Sequence, residues 1–262
     1  MGFGSARALL LSAGVVILTL CPQPSLLAQA TRAAVNPRRA EVSVPFIGCA
    51  SSGQIETLEA PKGTSVSVPI SPKDAEALAF YKSADGIGLL APRGWYCEGA
   101  SGSSGYGLFL SPKPIHRSSG GLEGPAIAVN HINGQSSGMY QIAEIVAHVF
   151  PAYRVFAKGV WEGMDLPFPS GPYPTDTLKY RGKTIVEYKT PAQTEGLGNF
   201  NSWLKKNDLP IVGAAILIVD PNLIANPRAL VILSIRVPPA LAPLTPAIVR
   251  YVERDAVSAS RE

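Results

Sequence analysis

The chain has 262 residues and a formal net charge of +4, with 46% hydrophobic and 16% charged residues. That charged fraction is low beside the ~25% of ordinary soluble domains, and the 25 glycines and 24 prolines are spread along the chain, so a folded, turn-rich protein with ample apolar core is expected. The mild charge, and the lack of a basic stripe interleaved with aromatics, argue against nucleic acid as a partner.

Residues 1–30 read as a signal peptide. Arg7 supplies the positive region, Leu9 to Leu20 is apolar, and Ala28-Gln29-Ala30 is a cleavage site that would leave Thr31 first. The apolar run is shorter than the ~20 residues a spanning helix needs, and no later segment is long and apolar enough, so no transmembrane segment is expected in the mature chain. The expected location is periplasmic or secreted. Lipid anchoring at Cys21 is the minority alternative, because Leu20 stands where a small residue is usual. Residues 31–43, with Arg32, Arg38 and Arg39, read as a flexible tail, and 44–262 as a single domain with a candidate seam at 163–176. Once Cys21 leaves with the leader, Cys49 and Cys97 are an even pair in an oxidising compartment. A disulfide is favoured, with two free thiols as the alternative.

In chain order, Val44 to Ile47 is a short strand into Cys49, and Thr64 to Ile70 alternates as another. Ser71-Pro72-Lys73-Asp74 is a helix start, with the helix expected to run to about Ala84 and stop at Asp85-Gly86. Ile87 to Ala91 is a strand, followed by a Pro92-Arg93-Gly94 corner. Trp95 to Gly99 and Tyr106 to Leu110 form a hairpin across a flexible loop, Ala100 to Gly105. Ala126 to Ile132 is a strand. Met139 to Phe150 is an amphipathic helix with Ile142, Ile145, Val146 and Val149 inward, and Ala152 to Trp161 a second helix after Pro151. Thr177 to Arg181 and Thr184 to Lys189 pair about Gly182-Lys183. Ser202 to Asn207 reads as one helical turn, Ile211 to Val219 and Leu230 to Val237 as apolar strands. Thr245-Pro246 opens a C-terminal helix. The expected class is α+β: a largely antiparallel sheet with helices packed on its faces.

The runs GIGLLAPRGWYCEGASGSSGYGLFLSP, VEYKTPAQTEGLG and LVILSIRVPPAL resemble a group of secreted bacterial proteins of unknown function, over most of the mature chain. A remoter likeness, architectural only, is to the PsbP/Mog1 type of α/β sandwich, which has a strand ending in a Pro-Gly-Trp-like corner and closes with two strands and a helix.

Gly134-Gln135-Ser136-Ser137-Gly138 matches the G-x-S-x-G elbow between a predicted strand and a predicted helix. The usual order needs an acid and then a histidine downstream. Only His148 follows, on the adjacent helix, so the bland reading is a turn with Ser137 as helix cap. His116, His131 and His148 lack metal-site spacing, and no metal or cofactor is expected. Gly86 to Ala91 fits G-x-G-x-x-A but follows a helix, the reverse of a dinucleotide site. Glu144, Glu162, Asp165 and Glu195 are solvated acids by default. The Ser/Gly loop with its aromatic flanks is the better candidate for binding: Tyr96, Ser101, Ser103, Ser104 and Tyr106. The expectation is a non-catalytic binding or accessory module of the bacterial cell envelope, whose partner is an envelope polymer or protein. The alternative is an envelope serine hydrolase using Ser136 and His148.

Overall fold

A computed structural model describes residues 41–116, 120–165, 167–169, 171, 173–200, 202–219 and 227–259. The leader 1–30, with Cys21, and residues 31–40 of the expected tail lie outside them. Among the described residues, thirteen strands form two sheets and four α-helices accompany them. The large sheet runs in the order β10 (Thr177–Arg181), β11 (Ile185–Thr190), β12 (Ile211–Val219), β13 (Pro227–Arg236), β9 (Ala126–Asn133), β8 (Gly105–Ser111), β7 (Tyr96–Gly102), β2 (Ser51–Ser52) and β3 (Thr57–Leu58). The small sheet runs β4 (Ser65–Val68), β1 (Val42–Cys49), β5 (Leu78–Ser83) and β6 (Gly88–Pro92). The pairings β1–β5 and β2–β7 are parallel and the others antiparallel, so the class is α+β with mixed sheets.

Strand alternation divides the interior. Leu108, Leu110, Ile127, Val129, Leu233 and Ile235 enter one buried cluster, whereas Phe109, Ala126, Ala128, Ile132, Leu230 and Ile232 enter another. The first cluster also contains Val44, Tyr81 and Leu89 of the small sheet, and Ile248, Val252 and Ala256 of α4 (Thr245–Ala259). The second contains Ile142, Ile145, Val146 and Val149 of α2 (Gly138–Val149) and Ala157 of α3 (Arg154–Glu162). The 3.6-residue spacing of the α2 positions is therefore the spacing of a buried face.

The expected helix from Ser71 to Ala84 is corrected. Its start forms as the capping pattern demands: Ser71 Oγ accepts from the Asp74 amide at 3.1 Å, and Pro72 opens α1 (Pro72–Ala77). The next six residues, LAFYKS, are β5, held between β1 and β6. Leu78, Ala79, Phe80 and Tyr81 are all buried, so the run is apolar on both faces, and such a short run reads equally as buried helix or buried strand. Arg93 closes the end of α1, donating from Nε to the Leu78 carbonyl at 3.1 Å and from Nη2 to that of Ala75 at 2.6 Å. Tyr81 fixes the Pro-Arg-Gly-Trp corner by donating to the Pro92 carbonyl (2.8 Å) and accepting from the Trp95 amide (3.1 Å).

Three smaller expectations are also revised. β1 begins at Val42, two residues into the predicted tail, because Val42 and Ser43 pair with Val68 and Ser67. Ser202 to Asn207 has no helical turn in its described residues; Leu204 instead bridges to Leu122, and Trp203 has φ of 63°. The chain does not loop out between Ala100 and Gly105: β7 and β8 stay paired through Gly102↔Gly105, leaving a two-residue turn at Ser103-Ser104. Cys49 and Cys97 form a disulfide, which ties the end of β1 in the small sheet to β7 in the large one. Among the described residues, no helix is long and apolar enough to cross a membrane.

Candidate functional site

Gly105 and Gly107 determine the shape of the β7–β8 tip. A Cβ on Gly105, whose φ is +139°, would lie 2.0 Å from the His131 carbonyl oxygen, and one on Gly107 would lie 2.4 Å from Asn130 Oδ1. Bare backbone there lets β8 lie close against β9 and leaves open space in front of it. That space is a cavity of about 380 Å³. Ser101, Ser103, Ser104 and Tyr106 line it, so four of the five sequence-predicted binding residues meet. Tyr96 does not. It pairs with Ser111 at the other end of β7, roughly 20 Å away by strand rise.

Four further polar residues line the cavity, with Phe109 and Ile132: Gln54 from the β2–β3 connection, Asn130 and His131 from β9, and Gln141 from α2. Register brings the β9 pair in, since Tyr106 faces His131 and Gly107 faces Asn130. The Tyr106 and His131 rings stack, with centroids 4.6 Å apart and planes 1° from parallel. The tip is tied down at its turn. Ser104 Oγ lies 2.8 Å from Ser137 Oγ at the start of α2, and the Ser104 carbonyl accepts from the Asn133 amide at 2.8 Å.

Among the described residues no Asp, Glu, Lys or Arg lines this cavity, and the adjoining one has a single carboxylate, Glu56. Burial lowers the His131 pKa, and His131 Nδ1 is buried without a hydrogen-bond partner. Burial, and then the Asp255 and Asp85 carboxylates, raise that of Tyr106. Both rings are therefore uncharged near neutral pH. A second cavity, about 280 Å³, shares Gln54, Ser101, Gly102 and Ser103 with the first and extends past the fully exposed Ile55. Together they make a groove across the hairpin tip, rich in hydroxyls and carboxamides. A larger cavity of about 720 Å³, beside Met139, Phe156 and Val160, has no charged side chain and a mostly apolar wall.

Ser136 and His148 do not meet. Ser136 Oγ donates to the Asn133 carbonyl (2.9 Å) and accepts from the Gly138 amide (3.2 Å), both within its own turn. It thereby holds the place expected for Ser137, which makes no side-chain cap. His148 lies in the last turn of α2, about 15 Å along the axis from Gly138. There its ring stacks on Tyr173 at 4.6 Å, and Nδ1 faces the Gly171 carbonyl. Of the acids named from sequence, Glu144 has its pKa raised by burial, opposed by His148, and Glu195 pairs with Lys206 at 2.7 Å. Among the described residues, no three His, Cys, Asp or Glu side chains are grouped to hold a metal ion.

Sequence reasoning missed Gln54, Asn130, His131 and Gln141 as site residues. None belongs to a motif: the β2–β7 pairing brings Gln54 to the tip, the β8–β9 register Asn130 and His131, and the position of α2 Gln141. In comparisons with known proteins, no family model, no curated protein and no solved structure matches this chain.

Proposed function

We propose that the protein is an exported module of the bacterial cell envelope that binds a neutral, hydroxyl- and amide-bearing ligand in the groove at the β7–β8 tip. The partner on this reading is an envelope polymer or protein that offers uncharged sugar or peptide groups. Cleavage after Ala30, export, the kinship with secreted bacterial proteins and the PsbP/Mog1-like layering belong to the same proposal. In that layering α2 and α3 cover one face of the large sheet, while α4 and the small sheet cover the other.

One observation supports this reading most. Three serines and three carboxamide residues (Gln54, Asn130, Gln141) line one groove across the hairpin tip, and the single charged residue among its described lining is Glu56, at the end beside Ile55. Uncharged donors and acceptors can match a polyol or an amide without the cost of desolvating a charge. The hairpin strands, stapled through Cys97, give the rigid frame on which such groups select a ligand.

The test is calorimetric titration of the exported protein with peptidoglycan fragments, neutral oligosaccharides and peptides. The Ser101→Ala/Ser103→Ala double variant should bind about tenfold more weakly, the scale of one or two lost hydrogen bonds. Binding that this variant leaves unchanged would place the ligand elsewhere.

A further inference from the structure

The geometry points to a second site, independent of the hairpin groove, that binds a phosphate-bearing ligand between the β10–β11 hairpin and the first turns of α4. A cavity of about 440 Å³ lies there. Four cations line it, Lys179, Arg181, Lys189 and Arg250, against the single carboxylate of Glu187.

The sheet builds one wall. Lys179 and Arg181 alternate onto the same face of β10, and the register Thr177↔Lys189 and Lys179↔Glu187 brings the β11 side chains into line with them. Glu187 is already engaged, by Arg181 and by Lys179 at 3.6 Å. The only other nearby acid, Glu253, takes Arg181 Nη1 at 3.3 Å. Neither Lys189 nor Arg250 has an ion pair among the described residues, and Arg250 acts on the Glu253 carboxylate only at longer range.

The helix builds the opposite wall. α4 has fifteen residues and no acidic side chain in its first turn. Thr245, Pro246, Val249 and Arg250 face the cavity. The positive end of the helix dipole is thus met by cations, where a carboxylate is the usual and favourable neighbour. Arg250 and Arg254, one helical turn apart, are like charges at the spacing that destabilises a helix, and they share an adjoining cavity of about 140 Å³. Lys189 and Arg250, without ion pairs of their own, thus approach one space from the sheet and from the helix, and an anion between them turns their mutual repulsion into attraction. Lysine and arginine side chains arriving from different sides suit a tetrahedral, multiply charged oxyanion better than a planar carboxylate, which favours a single bidentate fork.

The test titrates inorganic phosphate into the exported protein in phosphate-free buffer, with chloride at equal ionic strength as control. The proposal expects saturable amide shifts at Lys189 and from Thr245 to Arg250, weakened about tenfold or more in Lys189→Ala/Arg250→Ala, the scale of lost charge-assisted contacts. That variant should be at least as heat-stable as the parent without phosphate, since it relieves repulsion, and should lose the rise in melting temperature that phosphate gives the parent. A parallel arm uses phosphatidylglycerol vesicles: co-sedimentation lost in the same variant identifies a lipid headgroup as the source of the phosphate, whereas phosphate shifts without vesicle binding identify a soluble one. Shifts matched by chloride, or absent with both phosphate and vesicles, would overturn the proposal.

Discussion

Ser136 binds the Asn133 carbonyl and the Gly138 amide through one oxygen, so its hydroxyl is occupied in holding the entry to α2. Ser136→Ala should cost about 1 kcal/mol in chemical denaturation, the typical loss of a helix-start contact, and wild-type protein should stay unlabelled by a fluorophosphonate probe. Labelling that disappears in Ser136→Ala would instead establish a nucleophile. His131 gives a pH dependence whose sign follows from its environment. Burial lowers its pKa in the folded state, so below the ordinary histidine value the unfolded chain binds the proton first. The neutral ring's contribution to stability is therefore complete above about pH 6.5 and is lost as pH falls towards the folded-state value. An NMR titration should find His131 titrating below an ordinary histidine, and a midpoint at or above the ordinary value would contradict this account of the groove.

At the level of the element, the β7–β8 hairpin shows what composition can and cannot reveal. The Ser/Gly run between aromatics was legible as a turn region with exposed hydroxyls. Its length was not, because serine and glycine carry no hydrophobic alternation to show that strand pairing continues to Gly102↔Gly105. Tyr96 is near the loop in sequence but not in space, because along a strand six residues are the length of the element. His131 and Asn130 were invisible as partners because antiparallel register, not spacing, places them there. The close approach at Gly105 is a direct consequence. Gly105→Ala forces a side chain onto the His131 carbonyl at a backbone angle that favours glycine, and should destabilise the fold by about 2 kcal/mol or more. Urea denaturation checks this, and a variant as stable as the parent would show that the tip is not packed as described.

Across the whole molecule, two features tie remote parts together. The Cys49–Cys97 disulfide closes 48 residues and joins the two sheets, so its loss should cost about 4 kcal/mol by chain entropy. Reductant should lower the melting temperature clearly; an unchanged melting curve on full reduction would contradict that role. Arg236, fully buried, donates to the carbonyls of Leu122, Gly124 and Lys205 and so anchors two irregular segments to β13. The α+β class, the apolar strands β12 and β13, and helices α2 and α4 were legible because each has a long, regular hydrophobic pattern. β5 was not, and neither were β2 and β3, two residues each, whose pairing is set entirely by tertiary neighbours. The binding groove proposed at the hairpin tip is tested most directly by backbone chemical-shift mapping of the protein during titration with neutral glycan and peptide fragments. The account predicts shifts clustered on Gln54, Ser101 to Tyr106, Asn130, His131 and Gln141; shifts centred on Ser136 and His148, or on residues 190–198, would contradict it.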